Sequence, residues 1–137
     1  MPDHVRARHT VVVGVLALAL AGCAAPARDG ARAVVQRFES ALASDPAAAC
    51  ALLAPETVRE VEDLSDKPCV QALPAQDLPA GGAIDHLAVA GHSGEAVLAG
   101  DTIFLALFDD GWRVIAAGCT AQGSDPQRPY DCTVKAG

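Results

Sequence analysis

Aromatic side chains are scarce in this chain: Phe38, Phe104, Phe108, Trp112 and Tyr130 are all it has, 4% of 137 residues. Alanine supplies much of the apolar count instead. A small side chain removes little surface from water, so a core built this way is thin and calls for covalent support. Positive charge is scarce as well. Residues 1–22 hold Arg6, Arg8 and Asp3, and the remainder carries eight Lys and Arg against sixteen Asp and Glu, a formal charge near −8. Such a surface is soluble and is repelled by nucleic acid and by anionic headgroups, which excludes both as partner surfaces. Catalytic and ligand signatures are missing too. No G-x-S-x-G is present, and Ser40, Ser44, Ser65, Ser93 and Ser124 fall in cap, loop or helix-surface contexts. Gly81-Gly82 lacks the following Lys-Ser or Lys-Thr of a phosphate cradle. No cysteine pair is spaced C-x-x-C, and His86 and His92 have no cysteine nearby, so neither a metal nor a cofactor is expected.

What is present begins with a leader. Residues 1–10 carry Arg6 and Arg8, and residues 11–21 are uncharged and nearly all Val, Leu and Ala. Eleven residues are too few to cross a bilayer, which takes roughly 20, so the segment reads as a secretory signal peptide. At its end Leu20-Ala21-Gly22-Cys23 resembles the lipobox of bacterial lipoproteins. That resemblance implies diacylglycerol on Cys23, cleavage before it, and a protein held on the extracytoplasmic face of the cell membrane. Residues 24–30, small and polar without an apolar period, are expected to form a short leash. The remainder, residues 31–137, suits one domain.

Export leaves Cys50, Cys69, Cys119 and Cys132 in an oxidising compartment, where an even number argues for disulfides. Four thiols allow three connectivities. Nearness in sequence favours Cys50 with Cys69 and Cys119 with Cys132, each bridge contributing roughly 3 kcal/mol.

Along the domain, Ala31, Val34, Val35, Phe38 and Leu42 recur at helical steps and predict an amphipathic helix over residues 31–43, with Arg32, Gln36, Arg37, Glu39 and Ser40 on its other side. Asp45 and Pro46 are suited to the N-cap and first position of a second helix over 46–54, carrying Cys50 and Leu53 on one face. A third helix over 56–64 is expected to bury Val58, Val61 and Leu64 and to expose Glu60, Glu62 and Asp63. Cys69 follows in an irregular stretch rich in proline and glycine. Beyond Gly82 the pattern alternates. Strands are expected around Leu87 and Val89, over 96–99, 102–108, 112–119 and 130–135, with turns at 91–94, at Gly100-Asp101 and at Asp109-Asp110-Gly111. Residues 102–108 are continuously apolar, as in a strand covered on both faces. Residues 122–129 read as a polar loop, and Asp125, Arg128 and Asp131 make that region a solvated connection. Helices first, then a meander of about five antiparallel strands, define the α+β class.

That order, over residues 31–135, is similar to the NTF2-like, or cystatin-like, cone fold, in which a curved sheet wraps the first helix. The segments ACALLAPET, GWRVIAAGC and YDCTVKAG resemble small actinobacterial lipoproteins, a likeness that brings no activity with it. The cone resemblance implies a pocket between helices and sheet, used by some members for isomerase or dehydratase chemistry and by many only to bind. Candidate polar groups for such a pocket are His86, Asp101 and Tyr130, with Phe104, Leu105, Phe108 and Trp112 as walls. Each also has a plainer reading. His86 falls on the solvent side of an alternating strand, Asp101 serves the Gly100 turn, Trp112 fills core or anchors a hairpin, and Tyr130 packs beside a disulfide. The sequence therefore favours a binding or interaction module, for a small ligand or an envelope protein, over a small acid–base enzyme, and leaves a purely structural envelope role open beside it.

Overall fold

A computed structural model describes residues 24–125 and 129–137. The segment expected to be a signal peptide, the expected lipidation site Cys23, and Arg128 lie outside the described residues. Among the described residues four helices precede the sheet: α1 (Ala24–Ser44), α2 (Pro46–Leu52), α3 (Pro55–Ser65) and the single turn α4 (Cys69–Ala72), followed by a 3-10 turn at Pro74–Gln76. Five strands follow: β1 (Ile84–Ala90), β2 (Ser93–Leu98), β3 (Thr102–Phe108), β4 (Gly111–Thr120) and β5 (Asp131–Lys135). They form one antiparallel sheet in the order β1-β2-β3-β4-β5. The chain is thus an α+β domain with a meander sheet. Among the described residues, no helix is long and apolar enough to cross a membrane.

Helix α1 lies against the sheet and buries Ala31, Val34, Val35, Phe38 and Ala41. It starts seven residues before the expected position, so residues 24–30 are helical rather than an extended leash. The reason is tertiary: Ala27 packs against the core, and the Arg28 guanidinium donates to the Leu87 carbonyl, 3.2 Å from Nε. Gly30 sits so close under Trp112 that a Cβ there would stand 3.1 Å from the indole Cδ1. At the start of α2, Asp45 accepts from the Ala48 amide at 3.0 Å and Pro46 opens the helix, as a cap and a first-turn proline should.

Helix α3 departs from its expected stripe. Val61 is buried and Val58 half-buried, but Leu64 is 62% exposed and Thr57 is buried in its place. Thr57 is tolerated there because its hydroxyl donates to the Ile115 carbonyl at 3.1 Å, which satisfies the one polar atom it carries inward. Between α2 and α3 the chain runs beside β4, where the Ala54 amide donates to the Val114 carbonyl at 2.8 Å and continues the sheet past the end of β5. Cys69 lies on the turn α4 rather than in irregular chain. Its bond to Cys50 ties that turn to α2, and the Cys119–Cys132 bond joins directly opposed residues of β4 and β5.

The sheet is bent by two irregularities, one between Ile84 and His86 of β1 and one where Phe104 and Leu105 of β3 face Ala116 and Val114 of β4, leaving Ile115 as the extra residue. Gly118 adds a third distortion with φ of 66°, and a Cβ there would stand 2.7 Å from the Thr133 hydroxyl, so only glycine fits. Strand β3 was expected to be covered on both faces. Ile103 and Leu105 are buried, whereas Phe104 and Ala106 are half-buried and Phe108 is exposed, because the helices cover only one side. The first hairpin turn is also tighter than expected: β2 begins at Ser93, leaving only Gly91 and His92 between the strands.

Candidate functional site

The sheet's helix-facing side carries Leu87, Ala96, Leu98, Ile103, Leu105, Trp112, Val114, Ala117 and Val134, all buried with Val35 and Phe38 of α1 in one cluster. Side chains alternating with these fall on the opposite side, where Glu95 is the cross-strand neighbour of Phe104 and His86 that of Val97. The sequence-predicted site residues divide between the two sides. Trp112 and Leu105 are core. Trp112 reaches across the sheet to Gly94, where a Cβ would stand 3.4 Å from its Cζ3. Phe104 and Tyr130 meet edge to face on the uncovered side, ring centroids 4.9 Å apart. There the Tyr130 hydroxyl donates to Glu95 at 3.2 Å, and partial burial together with that carboxylate raises the phenol above its usual range. His86 is exposed on the edge strand β1, and Phe108 is exposed at the end of β3.

Asp101 is buried on the helix side and does more than serve its own turn. Its two carboxylate oxygens accept from the amides of Gly118 and Cys119, each at 3.0 Å, so it ties the β2–β3 turn to the distorted stretch of β4 before the second disulfide. Beside it stands a carboxyl absent from the sequence-predicted set. Glu39 of α1 accepts from the Gly81 amide at 2.8 Å through Oε2, while its Oε1 is buried without a hydrogen-bond partner among the described residues. Desolvation raises the Glu39 carboxyl above its ordinary value, the Gly81 amide pulls it back, and the charge of Asp101 raises it further. Asp101 is likewise raised by desolvation, against the pull of its amide donors. The sequence held one signal for Glu39: it stands four residues after Val35 and three before Leu42, in the row that faces the sheet.

The two carboxyl groups clamp backbone amides of Gly81, Gly118 and Cys119; they are not joined by His86 or Tyr130. Asp101 faces α1, whereas the Tyr130 hydroxyl lies with Glu95 on the other side of the sheet. The three polar candidates are therefore not brought together. Surface grooves lie elsewhere. One of about 420 Å³ runs between α1 and α2 and includes Arg37, Ala41, Asp45 and Leu52. Another of about 400 Å³ includes Leu53, Val58, Phe108 and Arg113. Arg113 is already engaged there, donating to the Ala51 carbonyl and to Asp110. Among the described residues, no group of three or more His, Cys, Asp or Glu side chains could hold a metal ion.

The raised carboxyls make a pH prediction with a definite sign. A carboxyl whose folded value lies above its unfolded value penalises the fold when ionised, and the penalty is relieved as pH falls through the folded value toward the unfolded one. Glu39→Gln keeps an oxygen for the Gly81 amide and removes the charge facing Asp101. We expect it to raise Tm at pH 7 and to lose that advantage progressively as pH falls to about 3, below the ordinary carboxyl value, where the carboxyl of the parent chain is protonated in both states. Parallel thermal melts across that range, with a lower Tm for the variant at pH 7 as the contrary result, decide the point.

Compared with known proteins, the chain matches no family, no curated protein and no solved structure.

Proposed function

We propose that this chain is a lipoprotein carried on the extracytoplasmic face of the cell membrane by diacylglycerol on Cys23, and that its domain, of the NTF2-like cone type, is a binding or interaction module. The observation that supports binding is the uncovered side of the five-stranded sheet. It presents Phe104 and Tyr130 packed together, a carboxylate at Glu95 and an imidazole at His86, all outside the core and free of the structural tasks that occupy Asp101. Large, partly exposed aromatics next to hydrogen-bonding groups are what interfaces use for contact area with low entropy cost. The lipobox supports the address.

Two measurements test the two halves. Cells fed an alkyne fatty acid should yield labelled protein, and Cys23→Ala should abolish the label; an unlabelled parent chain refutes the anchor. Protein extracted gently from its own membranes and weighed by native mass spectrometry should retain a ligand or a partner chain, and Tyr130→Ala should release it. Parent protein that never carries either refutes the binding role.

A further inference from the structure

We propose that the end of the sheet formed by the β1–β2 and β3–β4 turns rests on the phospholipid headgroup layer, with the Phe108 ring as its point of contact. The inference rests on lipidation of Cys23 as proposed above, and adds to it an orientation and a surface. Its basis is the lack of slack between anchor and fold. Successive Cα atoms are about 3.8 Å apart across a trans peptide, and α1 begins at Ala24, so the lipid-bearing residue is bonded directly to a structural element. That element is fixed to the sheet by the packing of Ala27, by the bonds from Arg28 to the Leu87 carbonyl and by the fit of Gly30 under Trp112.

The same contacts say which end faces the anchor. Trp112 is the second residue of β4, just past the β3–β4 turn, and its ring meets Gly94, the second residue of β2, just past the β1–β2 turn. Farther along α1, Glu39 holds Gly81 and, with Asp101, marks the opposite end, at the β2–β3 turn. At about 1.5 Å per residue the helix advances roughly 14 Å between Gly30 and Glu39, and the residues before Gly30 carry it about 9 Å farther the other way. The anchor therefore projects at the end bearing Gly91, His92, Asp109 and Asp110.

Charge and apolar exposure agree with that placement. Near this end Arg28, Arg32 and Arg113 stand against Asp29, Glu95, Asp109 and Asp110, whereas the rest of the domain after residue 23 holds five cations against twelve carboxylates. The repulsion that excludes headgroups from the protein as a whole is thus locally reduced. Phe108, 42% exposed, adjoins the β3–β4 turn, and aromatic rings favour the membrane–water interface.

The test uses the full chain, produced in a bacterium that processes lipoproteins and reconstituted in phosphatidylcholine nanodiscs containing a nitroxide-headgroup lipid. Paramagnetic relaxation enhancement is expected to be at least threefold larger for the amides of residues 91–92 and 109–111 than for those of 99–101. Phe108→Ser should stay bound through its lipid and lose at least half of the enhancement at 109–111. Protein that co-elutes with the discs but shows equal or reversed enhancement overturns the orientation and leaves the anchor standing. An unchanged gradient in Phe108→Ser overturns the contact assigned to that ring. Protein that elutes apart from the discs without acyl mass on Cys23 overturns anchor and orientation together.

Discussion

Reduction of both disulfides is expected to cost the fold about 6 kcal/mol, enough to leave most molecules unfolded at ambient temperature. The bridges close separations of 19 and 13 residues, which in the chain-entropy relation correspond to about 3.2 and about 2.9 kcal/mol. Native domains stand only about 5–15 kcal/mol above their unfolded states, and this one has few large side chains with which to compensate. The two bridges act in different places. Cys50–Cys69 fastens the single turn α4, which is too short to hold itself, against α2. Cys119–Cys132 fastens β5, a five-residue edge strand reached through a polar loop. The paired variants Cys50→Ala/Cys69→Ala and Cys119→Ala/Cys132→Ala should each lower Tm by roughly 10–15 °C, followed by far-ultraviolet circular dichroism. Amide exchange should rise first at residues 69–72 in the former and at 131–135 in the latter. Shifts of under about 3 °C would mean that packing alone holds these segments.

Phe38→Ala is expected to cost about 3–5 kcal/mol in unfolding free energy from urea titration. Phe38 is fully buried at the middle of α1, in the cluster that contains Ile103, Leu105 and Val114. It is the largest side chain that the helix inserts against the sheet, and its neighbours on the same face are alanines and valines that cannot move in to fill the space. The result bears on function as well as on stability. A cone fold that binds its ligand between helix and sheet needs room there, and a site with room loses little when one ring is removed. A cost of under about 1.5 kcal/mol would mean that the interior is slack and would return the ligand site to the helix side; the larger cost agrees with binding on the uncovered side.

Much of this architecture was legible before any coordinates. The Asp109-Asp110-Gly111 turn separates β3 from β4 as its residues require, and Gly111 takes a positive φ of 118°. The Asp45-Pro46 start of α2 is equally local, since the cap bond to Ala48 spans only three residues. Both disulfides join nearest neighbours among the available cysteines. Local signals failed where a distant partner decides. Residues 24–30 show no apolar stripe, yet Leu87 and Trp112 make them helix. Leu64 keeps the helical step of Val61 but stays exposed, while Thr57 finds the Ile115 carbonyl.

The site followed the same division. Asp101 reads as a turn residue because a turn is what surrounds it, and the amides it holds belong to Gly118 and Cys119, in another strand. Tyr130 donates to Glu95 and meets Phe104 edge to face, partners that lie two or more strands away from β5. By itself the sequence determined the α+β order, the hairpin turns and the helix cap, because each is set by interactions a few residues long, and it favoured without fixing the sulfur pairing that the structure shows. Only the tertiary structure decided that residues 24–30 belong to the first helix, that Glu39 and Asp101 share one buried end, and that the polar candidates divide across the two sides of the sheet. Those outcomes depend on strand bend and on which backbone donors come within about 3 Å of a carboxylate, and no local pattern encodes a meeting between residues dozens of positions apart.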